Sequence, residues 1–245
     1  NPLGIHLVEV TSAQLVSNTV TSANYNALGI TLEEIGATVM VANNTIDYTG
    51  PPSTNAGIQV KNGTPMLTNN RVHGFEKAVE ISGGYPQKVP TYDNNDFAGN
   101  QLRGIVVSGE INTGSWSNVA GYPHFLGYAT LANGATLTIP PGAVIKFLAA
   151  TQLNLGTGAK LIAAGTAEQP IIFTSITDDD YAGDSNGDGQ ATLPAPGHWS
   201  TIYGGGAAST ISLQHTLVRF GAYAIQTTSN LTLQDSTIEQ SSSSA

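Results

Sequence analysis

Cysteine is absent from this 245-residue chain, so neither a disulfide framework nor a thiolate metal site is open to it. Basic residues are almost as scarce. Eight Lys and Arg stand against 17 Asp and Glu, a formal net charge of −9. Such a chain lacks the positive footprint that neutralises phosphates, which argues against a nucleic-acid partner and against anionic membranes. Charged residues total 10%, against roughly 25% in a typical soluble domain. No run approaches the ~18 apolar residues of a membrane span, so membrane insertion is not expected. The first residues, Asn1 to Ile5, lack the basic and apolar regions of a signal peptide. The chain also stops at Ser241 to Ala245, directly after a repeat and with no obvious capping element, so the expectation is a piece of a longer protein.

The polar load rests instead on Thr, Ser and Asn, with 28 Gly and 12 Pro. These residues suit short strands joined by tight turns and discourage long helices. A rhythm organises them. Asn followed two positions later by an apolar residue recurs as Asn18-Thr19-Val20, Asn44-Thr45-Ile46, Asn70-Arg71-Val72 and Asn95-Asp96-Phe97, in steps of 26, 26 and 25. A period of that size marks stacked supersecondary units. An Asn at a rung corner can take the left-handed conformation and hydrogen-bond its stacked copies, which predicts a ladder at these four positions.

After each Asn-x-apolar strand, Ala27 to Leu32, Gly57 to Val60, Ala78 to Ile81 and Gly104 to Val107 read as one strand seen four times. Period-2 alternation puts Ile58 and Val60 on one face and Gln59 on the other. Residues 109–130 break the rhythm and are expected to form an irregular insertion or a junction between two helical stacks. The second half resumes with Thr136 to Phe147, Lys160 to Ala164 and Pro170 to Ser175. Beyond a long loop, Leu213 to Leu233 and Val218 to Ile238 are both steps of 20. The reading is one domain over 1–245: an all-β solenoid, two or three short strands per rung, wound around an apolar bore.

The run Gly134 to Gly142, through Gly165-Thr166, to Pro170-Ile171-Ile172-Phe173-Thr174-Ser175 resembles the right-handed parallel β-helix family of the pectate-lyase-like superfamily. It is similar to segments of large secreted or cell-surface bacterial proteins, many of them adhesin-like. The resemblance implies a right-handed parallel β-helix and an extracellular location. It implies chemistry only weakly, because the scaffold hosts lyases, hydrolases, tailspikes and non-catalytic proteins.

The strongest chemical motif lies in the loop 178–197. Asp184, Asn186 and Asp188 sit at alternate positions with Gly189 next, the opening of a calcium loop: hard oxygen ligands, then Gly for the sharp turn. Gln190 would offer its backbone carbonyl. An EF-hand needs a bidentate Glu at position twelve, where this chain has Ala195, so the missing charge is expected from Asp178, Asp179 or Asp180. Calcium is the expected ion, and ordering the loop its expected work.

Catalytic residues are not assigned. A polysaccharide lyase would need an outward base, and Lys77, Arg103, Arg71 and Glu80 are the candidates. A glycoside hydrolase would need paired carboxylates, but Glu33, Asp47, Glu80 and Glu110 share no register. His198, at the loop's exit, reads as an anchor rather than a catalyst. Trp116, Tyr122, Phe125 and Tyr128 could stack on sugar faces, making a polysaccharide or cell-surface glycan the candidate partner. The favoured function is an extracellular structural or adhesive β-helix with a calcium loop and a role in carbohydrate recognition. The alternative is a calcium-dependent lyase or hydrolase.

Overall fold

The computed structural model describes residues 3–24, 27–36, 38–51, 54–82, 91–119 and 121–242. Twenty-five short strands and no helix occur among them, and every strand pair is parallel. The chain is a parallel β-helix. The largest sheet has 13 strands and begins with Leu3–Val8, Leu28–Ile35, Ala56–Gly63, Lys77–Ile81, Leu102–Ile111 and His124–Leu131. There it forks. The start of His124–Leu131 pairs with Val144–Phe147 and leads to Ile171–Ser175, Thr216–Arg219 and Thr237–Glu239. Its end pairs with Leu153–Leu155 and leads to Ile202–Gly204 and Ile225–Thr227.

Three smaller sheets close the coil. Ser12–Val16, Thr38–Ala42, Met66–Thr68 and Thr91–Asp93 form one, and Thr19–Ser22, Thr45–Tyr48 and Arg71–His73 form another. Gly114–Ser115, Thr136–Ile139, Lys160–Ala164, Thr210–Gln214 and Asn230–Gln234 form the last. Alternation within each strand turns one side chain in two towards the bore. Ile30, Ile58, Val79 and Ile105 therefore stack in register and are fully buried. Leu213 pairs with Leu233 and Val218 with Ile238, as the 20-residue step predicts.

The Asn rhythm forms a continuous ladder. Nδ2 of Asn18, Asn44 and Asn70 donates to Oδ1 of the Asn on the next rung at 3.0, 2.9 and 3.0 Å. The same Oδ1 atoms also accept the backbone N–H of the preceding Asn, at 2.9, 3.1 and 2.9 Å. An Nδ2 proton of Asn44, Asn70 and Asn95 goes back to the carbonyls of Leu15, Val41 and Leu67. A slip of one residue would break all of these bonds together, so the ladder fixes register.

One detail differs from the sequence expectation. The left-handed residues are Ser17, Asn43, Asn69 and Asn94, each immediately before the ladder Asn. The corner therefore splits two tasks between neighbours: one residue bends the chain, and the next points its amide inward.

Residues 109–130 are also more regular than expected. Many of them belong to the strands Leu102–Ile111, Gly114–Ser115 and His124–Leu131, and the described residues between those strands are irregular. The rhythm breaks because the sheet built on Thr91–Asp93 ends and the sheet beginning at Gly114–Ser115 replaces it, while the stack itself continues.

Candidate metal-binding loop

No strand occurs between Ile171–Ser175 and Ile202–Gly204, and the intervening loop folds back over the outer face of the large sheet. Register places Val106, Phe125, Lys146 and Thr174 in one outward column. Lys146 lies between the bore residues Ile145 and Phe147, so its side chain must point out, yet it is 0% exposed. The loop covers it. Lys146 Nζ donates to the Gly183 carbonyl at 3.0 Å and to Ser185 Oγ at 2.7 Å. Burial pulls its pKa down to about 8, against the opposing pull of the Asp179, Asp178 and Asp184 carboxylates.

Two arginines hold the loop on either side. The Arg103 N–H donates to the Ser185 carbonyl at 2.9 Å, and Nη1 to the Asp184 carbonyl at 2.7 Å. The Asp184 carboxylate is 3.8 Å from the same guanidinium. Arg219 lies 3.7 Å from Asp178, 3.2 Å from Asp180 and 3.4 Å from Glu239, with Tyr181 against its guanidinium. Three of the eight basic residues thus serve one acidic segment.

The loop's exit is anchored as well. His198 Nδ1 meets Ser175 Oγ at 2.7 Å, and burial lowers the His198 pKa. Trp199 stacks on Phe147 at 4.0 Å and donates Nε1–H to the Arg219 carbonyl.

Within the loop, Asp184 caps its own turn. Oδ1 accepts the Asp188 N–H and Oδ2 the Gly189 N–H, both at 3.1 Å. Gly187 has φ of 71°, and a Cβ there would come within 2.9 Å of the Gln101 carbonyl, so the close approach requires Gly. Asn186 Nδ2 and the Thr192 hydroxyl both donate to Asp188 Oδ2.

Three oxygen atoms remain over. Asp179 Oδ1, Asn186 Oδ1 and Asp188 Oδ1 are buried and have no hydrogen-bond partner. Burial raises the Asp179 pKa, and the Asp184, Asp188 and Asp178 carboxylates add to the rise while Lys146 opposes it.

The seven expected ligands therefore divide. Asp179, Asn186 and Asp188 present free buried oxygens. Asp178 accepts from the Thr174 hydroxyl and the Asp180 N–H, Asp180 pairs with Arg219, Asp184 holds the turn, and Gln190 is exposed. Among the described residues no three Asp, Glu or His side chains converge as a ready cage. Asn186 is nine-tenths buried, and a buried oxygen left without donor or water is costly unless something fills the gap. An oxygen-liganded cation suits that donor set.

The aromatic platform expected for sugar stacking does not form. Trp116 and Phe125 are buried, the first stacked on His124 at 4.7 Å and the second packed with Leu102 and Val106 on the outer face of the sheet. Tyr122 lies on Phe97 at 5.2 Å and accepts the Phe97 N–H. Tyr128 alone of the four is open, at 65% exposure. Rings drawn in to fill the junction between sheets have no face left for a ligand.

The lyase candidates are engaged too. Lys77 pairs with Glu80 at 2.6 Å, Gln59 donates to the same carboxylate, and Arg71 pairs with Asp47. Strand pairing aligns Lys77 with Leu102, not with Arg103. Lys146 and Arg219 escaped the sequence reading altogether. The available signal was a Lys at an outward position inside the apolar run Ala143 to Phe147, in a chain so poor in basic residues.

Residues 109–193 match a family model described as a pectate-lyase-like beta helix domain. The match runs from the end of the strand Leu102–Ile111 into the acidic loop. Comparison with curated proteins and with solved structures gave no match.

Proposed function

We propose that this chain, with its pectate-lyase-like β-helix domain, is an extracellular structural and adhesive scaffold whose acidic loop is fastened by Ca²⁺. The observation that carries the calcium reading is the set of three buried, partnerless oxygens of Asp179, Asn186 and Asp188. Those residues would hold the ion, which would supply hard positive charge to oxygens that hydrogen bonding leaves unmet. It would also offset the burial, and after it the neighbouring carboxylates, that push Asp179 towards protonation.

The loop's other contacts support a structural role. Arg103, Lys146 and Arg219 are spread along the outer face of the sheet, so the loop straps successive rungs together. Fastening the strap would stiffen the stack. Thermal unfolding tests the reading: calcium is expected to raise Tm in a concentration-dependent way, and chelation to reverse it. Identical curves with and without calcium would reject the ion.

Recognition of a surface glycan is the finer part of the proposal. Tyr128 is the exposed ring that supports it, and a glycan array with Tyr128→Ala as the control tests it. Binding that survives the substitution would remove this residue from the site.

A further inference from the structure

We propose that Asn186 is a self-modification site, at which the chain converts an amide into a carboxylate without an enzyme. An Asn followed by Gly can cyclise. The Gly nitrogen, losing its proton, forms a bond to the Asn side-chain Cγ. The Cγ–Nδ2 bond breaks, and ammonia leaves with the proton. Water then opens the ring at either carbonyl, leaving Asp or isoaspartate. The reaction needs a Gly N–H that is free to attack and an Asn side-chain carbonyl that is not locked.

Three Asn-Gly pairs occur, at Asn62, Asn133 and Asn186. Asn133 is exposed, but its Oδ1 accepts the Thr157 N–H at 2.8 Å, and the Gly134 N–H is held by the Thr157 carbonyl at 2.8 Å. Gly63 is paired with Ile35 inside a strand. At Asn186 both requirements are met. Oδ1 has no partner, and among the described residues the Gly187 N–H meets no acceptor.

Asn186 Nδ2 donates to Asp188 Oδ2 at 3.0 Å, which leaves Oδ1 as the unbonded atom of the amide. Asp188-Gly189 could form the same ring, but the Gly189 N–H is tied to Asp184 Oδ2. Conversion at 186 would give carboxylates at three alternate positions, 184, 186 and 188, and so a more strongly anionic loop.

Accessibility alone ranks the exposed Asn133 first, whereas the hydrogen bonds rank Asn186 first. Peptide mapping separates them, using the wild-type chain held with a chelator at mildly alkaline pH. The earliest gain, about one dalton with an isoaspartate fraction, is expected in the peptide containing residue 186. It should vanish in Asn186→Gln and persist in Asn133→Gln. Earlier conversion at Asn133 or Asn62 would overturn the proposal. So would an unchanged residue 186 in the folded chain when a free peptide of the same sequence converts. The chelator keeps this outcome independent of whether the loop binds calcium.

Discussion

Lys146 Nζ lies 2.7 Å from Ser185 Oγ, 39 positions further along the chain, and this contact seats the acidic loop on the β-helix. The ammonium is buried beneath the segment it holds, so its removal leaves the Ser185 hydroxyl without its donor and the Gly183 carbonyl with the Ser185 N–H alone. For Lys146→Met we expect a stability loss of about 1.5–3 kcal/mol, the range for hydrogen bonds to a charged group. Limited proteolysis should find new cleavage in 178–197. A loop as resistant as wild type would show that the arginines suffice.

Asn70 occupies the middle of the amide ladder and Asn18 its first step. Asn70→Ala deprives the Asn44 N–H and Nδ2 of their acceptor and strips the Val41 carbonyl of its donor. The expected cost is about 3 kcal/mol or more, since each buried unmet group costs about 1–3 kcal/mol. Asn18 is exposed, and Asn18→Ala should cost about 1 kcal/mol. Denaturant unfolding of both variants checks the contrast, and equal losses would contradict the ladder's role.

His124 is buried against Trp116, and desolvation lowers its pKa to about 3. Its ordinary value is 6.5. Between those values the unfolded chain takes up a proton that the folded chain refuses, so stability is full above pH ~6.5 and falls as pH drops towards ~3. At full expression the loss is at most roughly 5 kcal/mol. His124→Phe should flatten this part of the acid limb in a series of denaturant titrations. An unaltered acid limb would place the sensitivity elsewhere.

The fold was legible in the sequence because each rung repeats the same demand. Asn44, Asn70 and Asn95 each accept from the Asn of the preceding rung and donate back to a carbonyl, so they recur, and the bore accepts apolar residues at alternate positions. The left-handed corner was not legible. Ser17 and Asn43 share a backbone conformation but not a chemistry, whereas the ladder positions share both. The loop's ligand-like spacing is local and could be read directly. Its cationic partners could not, since Lys146 is 37 positions from Gly183 and Arg103 is 81 from Asp184, and only the register of the stack brings them together. Trp116 and Phe125 misled because the change of sheet around Ser115 hides the alternation that would have marked them as buried.

Hydrogen exchange, followed with calcium and then with a chelator, tests the calcium-fastened loop most directly. The account predicts that chelation strips protection from amides within 178–197, Asp188 and Gly189 among them, while the amides of Asn44 and Asn70 in the ladder keep theirs. Equal protection of the loop in both conditions would contradict it, and would leave Lys146, Arg103 and Arg219 as the whole of the fastening.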